Sequence, residues 1–224
     1  PLPLKAPFVS SVSPLEASRG QRIAFDGRGF LRSDGIFQSA SIVLLEGTFQ
    51  PNRGPSEEWL GSEAVALLPD TLRGNTRFEH VLRLRQDVDG EILGFGTVPG
   101  IFNGKATPVV LAGKDTVSGE GLPVQLLIRP PTQMVYVKFL PSFDEALDAF
   151  GLVVEREAVQ TRIMEVLRRD YQGINIDFSF EWPDNFEEFT IVEIGAYDPN
   201  GSNLFGLDNT AGKDVGNLRF DDVV

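Results

Sequence analysis

The sequence predicts two domains, an all-β sandwich followed by a smaller α/β domain built strand-helix-strand-strand. Three observations carry that prediction. From Phe8 to Arg129, short apolar runs alternate with clusters of turn residues, and no stretch has helical periodicity. At Pro130-Pro131 the pattern changes, and two prolines in a row stiffen a join and cannot donate ladder hydrogen bonds. From Gln133 to Tyr197 the chain reads as a strand, a long helical region and two more strands.

Residues 1–7 carry three prolines and read as an extended linker. Strands are expected at Phe8–Val12, Gln21–Phe25, Ser41–Phe49, Ala64–Leu68, Arg77–Leu84, Glu91–Phe95, Thr107–Leu111 and Val124–Arg129. Ser13-Pro14, Asn52 with Gly54-Pro55, Pro69-Asp70, Gly74-Asn75, Asp89-Gly90, Pro99-Gly100, Gly113 and Ser118-Gly119 separate them. Many short strands at this spacing indicate a sandwich or barrel over residues 8–129. Residues 130–133 form the proline-rich join, and 134–224 the second domain.

In the second domain, Met134–Leu140 alternates, with Val135, Val137 and Phe139 on one side. Ser142 and Glu145 have capping-box spacing and are expected to open a helix that Gly151 ends. A second helix is expected from about Arg156, with Val159, Ile163, Val166 and Leu167 on one face and Gly173 as terminator. Ile174, Ile176, Phe178, Phe180 and Trp182 then alternate with polar residues, which reads as the clearest strand in the chain. Thr190–Tyr197 supplies another.

Composition narrows the function. The net charge of −12 opposes nucleic-acid binding, because a phosphate backbone needs clustered lysine and arginine. No run approaches the roughly 18 apolar residues of a membrane-spanning helix. Residue 1 is Pro, and with no signal sequence visible the chain reads as a processed or trimmed piece. The absence of cysteine removes disulfides, thiolate metal sites and thiol nucleophiles together. The only histidine is His80, so triad catalysis or a histidine zinc site would have to run through it. Its place in an apolar run favours a strand residue over a ligand.

Phe8-Val9-Ser10-Ser11-Val12-Ser13-Pro14, followed by Gly20, Ile23, Phe25, Gly27, Gly29 and Phe30, resembles the opening of an IPT/TIG domain. That resemblance implies an immunoglobulin-like sandwich with surface or extracellular binding and spacer roles, and no chemistry of its own. It is specific over residues 7–32 and looser to Arg129. The segment is longer than a typical member, so insertions are expected around Phe49–Gly61 and Gly90–Gly104.

The second domain resembles the N-terminal half of a metzincin-like zinc metallopeptidase. The resemblance rests on element order, on the Arg156–Tyr171 helix leading into Asn175–Phe180, and on Asp198-Pro199-Asn200-Gly201. In that family the zinc-binding His-Glu-x-x-His helix comes later, and no such motif occurs in this chain. No catalytic residue carries over, and no zinc is expected here. The apolar ending Leu218–Val224 reads as a truncation.

Asp198, Asn200, Ser202, Asp208 and Asp214 offer hard oxygen ligands among the glycines at 201, 206, 212 and 216. They form the candidate calcium site, since Ca²⁺ takes roughly six to eight oxygens in flexible geometry. The spacing and terminal Glu of an EF-hand are missing, and Asp, Asn and Gly are also what solvated turns are made of. Asp177 and Glu181 fall on one predicted strand face and could mimic a carboxylate pair, although alternating charge on a solvated face explains them more simply. Gly206–Lys213 lacks phosphate-loop spacing, because Asp214 follows the lysine. Phe178, Phe180, Trp182, Phe186 and Phe189 read as core and interface.

Two functions remain. One is a non-enzymatic module, secreted or in the bacterial cell envelope, that binds a protein or carbohydrate surface ligand. The other is an N-terminal fragment of a secreted zinc metallopeptidase whose histidines lie beyond residue 224.

Overall fold

The computed structural model describes residues 5–31, 40–83, 85, 86, 92, 93, 95, 96 and 98–195. The protein is mostly β, with several sheets and few helices. Its contacts divide it into two compact units, Pro1–Pro131 and Thr132–Val224, and each is described by itself.

The first unit contains β1 (Phe8–Ser13), β2 (Glu16–Ala17), β3 (Arg22–Arg28), β4 (Ala40–Pro51), β5 (Glu57–Trp59), β6 (Val65–Leu67) and β7 (Thr71–Arg73). It continues with β8 (Arg77–Val81), β9 (Arg85–Gln86), β10 (Ile92–Leu93), β11 (Gly100–Ala112), β12 (Asp115–Ser118) and β13 (Leu122–Ile128). One antiparallel sheet runs β1-β3-β8-β7. A second runs β2-β13-β11-β4-β5, with β12 also on β11 and β6 also on β4, and β9 pairs with β10. Within the second sheet β2 is parallel to β13.

One buried cluster draws Val9, Ile23, Phe25 and Phe78 from the first sheet and Val43, Leu45, Phe102 and Leu126 from the second. Period-two alternation places these residues inward. Phe25 meets Phe78 edge-on at 5.7 Å, and Trp59 stacks on Phe49 at 4.8 Å and on Phe102 at 5.4 Å. Each fully buried aromatic contributes on the order of 1.5–3 kcal/mol.

Sequence reading shortened the long strands. Thr107–Leu111 is the end of the thirteen-residue β11, and Gly100–Gly104, within a stretch expected as an insertion, is the start of that strand, which pairs with β4 from Gly100 to Leu111. Glycine hid this pairing. Gly47 opposes Gly104, and a Cβ on either would fall 2.3 or 2.2 Å from a carbonyl oxygen of the facing strand. Pro108 stands where β11 changes partner from β13 to β12, so its missing N–H costs no ladder bond.

The second unit contains β14 (Gln133–Phe139), α1 (Pro141–Ala149), α2 (Arg156–Asp170), β15 (Ile176–Ser179) and β16 (Thr190–Ile194). The sheet order is β15-β14-β16, with both pairings parallel. Val135, Val137, Met164 and Phe178 form the core, with Ile176, Val192, Ile194 and Leu167 packed against it.

Two local expectations are corrected. Ser142 is not a cap: Leu140 holds the cap position with no side-chain bond, Pro141 opens α1, and Ser142 is buried in its first turn. A proline at the first helical position is prearranged in φ and lacks an amide that would have no helical partner. The strand expected over 174–182 spans only Ile176–Ser179, because the Ser179 hydroxyl accepts from the Glu181 amide and donates to its carbonyl, folding the chain into a turn. Trp182, beyond the turn, and Ile174, before the strand begins, are exposed. On α2, Val159, Ile163, Val166 and Leu167 are half-buried, and Met164 is the fully buried residue.

Candidate functional site

The calcium candidates Asp198, Asn200, Ser202, Asp208 and Asp214 lie outside the described residues. Among the described residues no group of three or more His, Cys, Asp or Glu side chains is placed to hold a metal ion.

His80 sits in β8, buried. Its Nδ1 lies 2.8 Å from the Leu68 carbonyl oxygen and 3.6 Å from an Asp70 carboxylate oxygen. A carbonyl only accepts, so Nδ1 carries the proton and donates. Asp70 in turn accepts from the Val81 amide at 2.7 Å. These bonds tie the turn between β6 and β7 to β8, which is a structural task. His80 is the chain's only imidazole, and the chain has no thiolate.

Asp177 and Glu181 are both exposed, and the turn after Ser179 removes the shared strand face that would have paired them. The aromatic set divides. Phe178 and Phe186 are buried, Phe189 is half-buried, and Phe180 and Trp182 are exposed. Trp182 meets Tyr136 and Phe189 edge-on, at 5.4 and 4.8 Å.

A charge cluster that sequence reading missed lies on the outward face of β3, β8 and β7. Arg22 and Asp26 share one side of β3, Arg77 and Glu79 one side of β8, and Arg73 extends from β7. Glu79 is only 2% exposed along its side chain, with Arg77 Nε at 2.7 Å, Arg73 Nε at 3.1 Å and Arg22 Nε at 3.8 Å. Arg77 also donates to both Asp26 oxygens, at 2.9 and 3.1 Å. Burial by itself pushes the Glu79 carboxyl up. The Arg77 hydrogen bond and the charges of Arg73 and Arg22 outweigh it, holding the group below its ordinary value. Hydrogen bonding to Glu79 raises Arg77 against its own burial. The carboxylate is thus ionised and enclosed by partners, a poor general acid or base. The legible signal was Arg-x-Glu at a strand spacing of two.

A groove of about 530 Å³ lies beside β13, lined by Val12, Leu15, Ile101, Leu122 and Leu127, with Glu16 and Gln125 as polar members. Glu16 is paired to Arg129. The Leu127 and Arg129 amides donate to Leu15 and Ala17 across the β2 side. Strand alternation therefore turns the Gln125 N–H and C=O, and the Pro123 C=O, to the same side above β2, where no described strand pairs with them. The groove offers apolar surface and main-chain groups, with no nucleophile and no acid–base pair.

No known protein family, curated protein or solved structure matches the chain.

Proposed function

We propose that this chain is a non-enzymatic binding and spacer module, secreted or in the cell envelope. In this reading an immunoglobulin-like sandwich of the IPT/TIG kind, residues 8–129, precedes a peptidase-like α/β domain, residues 134–224. The observation that carries it is the character of the β13 groove: an apolar cleft whose single ionisable side chain is already ion-paired. A cleft of a few hundred Å³ with convergent main-chain groups recognises ligands, and a free strand edge takes extended peptide by strand addition. The opening of the chain supports the sandwich assignment. Gly27 accepts the close approach of the Phe8 carbonyl, where a Cβ would fall 1.9 Å away, and Gly29 turns the chain at φ 82°.

The second reading is the N-terminal part of a secreted zinc metallopeptidase whose His-Glu-x-x-His lies beyond residue 224. It is favoured by the order strand, two helices and two strands in the second unit. On sequence grounds alone, Asp198, Asn200, Ser202, Asp208 and Asp214 are proposed as calcium ligands.

Incubating the purified chain with an unfolded protein substrate, with and without a chelator, tests the module reading. No cleavage is expected, and turnover that the chelator abolishes would overturn it. Calorimetry with Ca²⁺ tests the loop; no heat and no shift in Tm would end that part.

A further inference from the structure

We propose that the connection between α1 and α2 is a docking knob that enters an apolar pocket, rimmed by lysine or arginine, on another protein. Phe150 is 79% exposed, Val153 53% and Val154 90%. Three large apolar side chains exposed within five residues are more than the single scattered ones that need no explanation, and such groups mark interaction sites.

Local structure accounts for only one apolar side chain of the stretch. Gly151, at φ 71°, donates its amide to Asp148 at 2.9 Å, and Leu152 donates to Leu147 at 2.7 Å. That pair of bonds is a Schellman ending, which characteristically sets the residue after the glycine against the helix's last turn. Leu152, 40% exposed, therefore holds the cap's position. Val154 precedes the α2 cap residue Glu155 and has the position of a hydrophobic staple to Val159, yet its exposure shows that it does not pack there. Phe150, Val153 and Val154 serve neither helix end.

Charge selects the occupant. Residues 144–157 hold Asp144, Glu145, Asp148, Glu155 and Glu157 against Arg156 alone. Five acids less one base give −4 in fourteen residues, a third of the chain's −12 in a sixteenth of its length. Arg156 is itself tied to Asp144 at 2.6 Å. A second copy of the chain would set acid against acid, and an anionic lipid surface would be repelled. An apolar pocket with a basic rim complements both the side chains and the field. The inference stands whether or not the chain is an enzyme.

The full chain, Val154→Asp and the double variant Asp148→Lys/Glu155→Lys are compared after circular dichroism confirms their folding, which these exposed positions should leave intact. Each is immobilised and exposed to an extract of the source cells and their medium. The retained protein is then identified, purified and titrated against each variant by calorimetry. One protein is expected, weakened about tenfold or more by either variant and further by added salt. Retention of nothing, or affinity that Val154→Asp leaves unchanged, overturns the proposal. So does self-association that Val154→Asp abolishes, or co-sedimentation with phosphatidylcholine vesicles lost in the same variant, which would make a second copy or a lipid the occupant.

Discussion

Glu79 shows how one residue's surroundings set its contribution. Its folded-state affinity for a proton is lowered below the ordinary value of 4.5. Its stabilisation is therefore fully present above pH 4.5 and is lost as pH falls through the lower folded value. Melting followed from pH 7 to pH 3 should show stability falling below pH 4.5, with a shallower fall in Glu79→Gln; parallel curves would show that the cluster contributes nothing. Removing one member of a buried ion pair costs roughly 3–5 kcal/mol. The arginines here are 22–61% exposed, so solvent screening should keep Glu79→Gln to about 3 kcal/mol or less. Phe178 is a simpler case. It is 5% exposed within the second core cluster, and Phe178→Ala should cost about 3–5 kcal/mol; an unchanged Tm would contradict that burial. Sequence alternation already placed Phe178 inward, whereas the burial of Glu79 was hidden, because a carboxylate on a strand's polar side ordinarily faces water.

At the scale of the element, two glycines that look alike in sequence do different things. Gly151 is in the left-handed region at φ 71° with open space around its Cβ position. Gly151→Ala should therefore cost only the backbone conformation, about 1–2 kcal/mol. Gly27 lies in β3 opposite the irregularity in β1 between Val9 and Ser11, where a Cβ would strike the Phe8 carbonyl. Gly27→Ala must push two paired strands apart and should cost at least as much, about 1–3 kcal/mol. Denaturant midpoints for the two variants rank these effects, and a Gly27→Ala protein as stable as the parent would refute the close approach. The Gly151 ending was legible because a helix stop needs only local backbone freedom. The start of α1 was misread because Ser142 and Pro141 both carry start signals, and the chain's entry from β14, where the Leu140 amide donates to Ile194 at 2.9 Å, decides between them.

For the whole molecule, the proposed boundary at Pro130-Pro131 predicts that mild proteolysis cuts there first and releases two folded pieces, seen by mass spectrometry; a single resistant core would count against two domains. The sequence by itself determined the β-rich character before Pro130, the strand and helix order after it, and the lack of any thiol. Alternation, helical spacing and donor counts are local or additive properties. Tertiary structure alone decided that Gly100–Gly104 pairs with β4, that Glu79 is enclosed by three arginines, that Ile174 and Trp182 leave their strand, and that a groove opens beside β13. Each of these depends on which distant strand lies alongside, and pairing partners are chosen by the packing of the whole sheet rather than by any single run of residues.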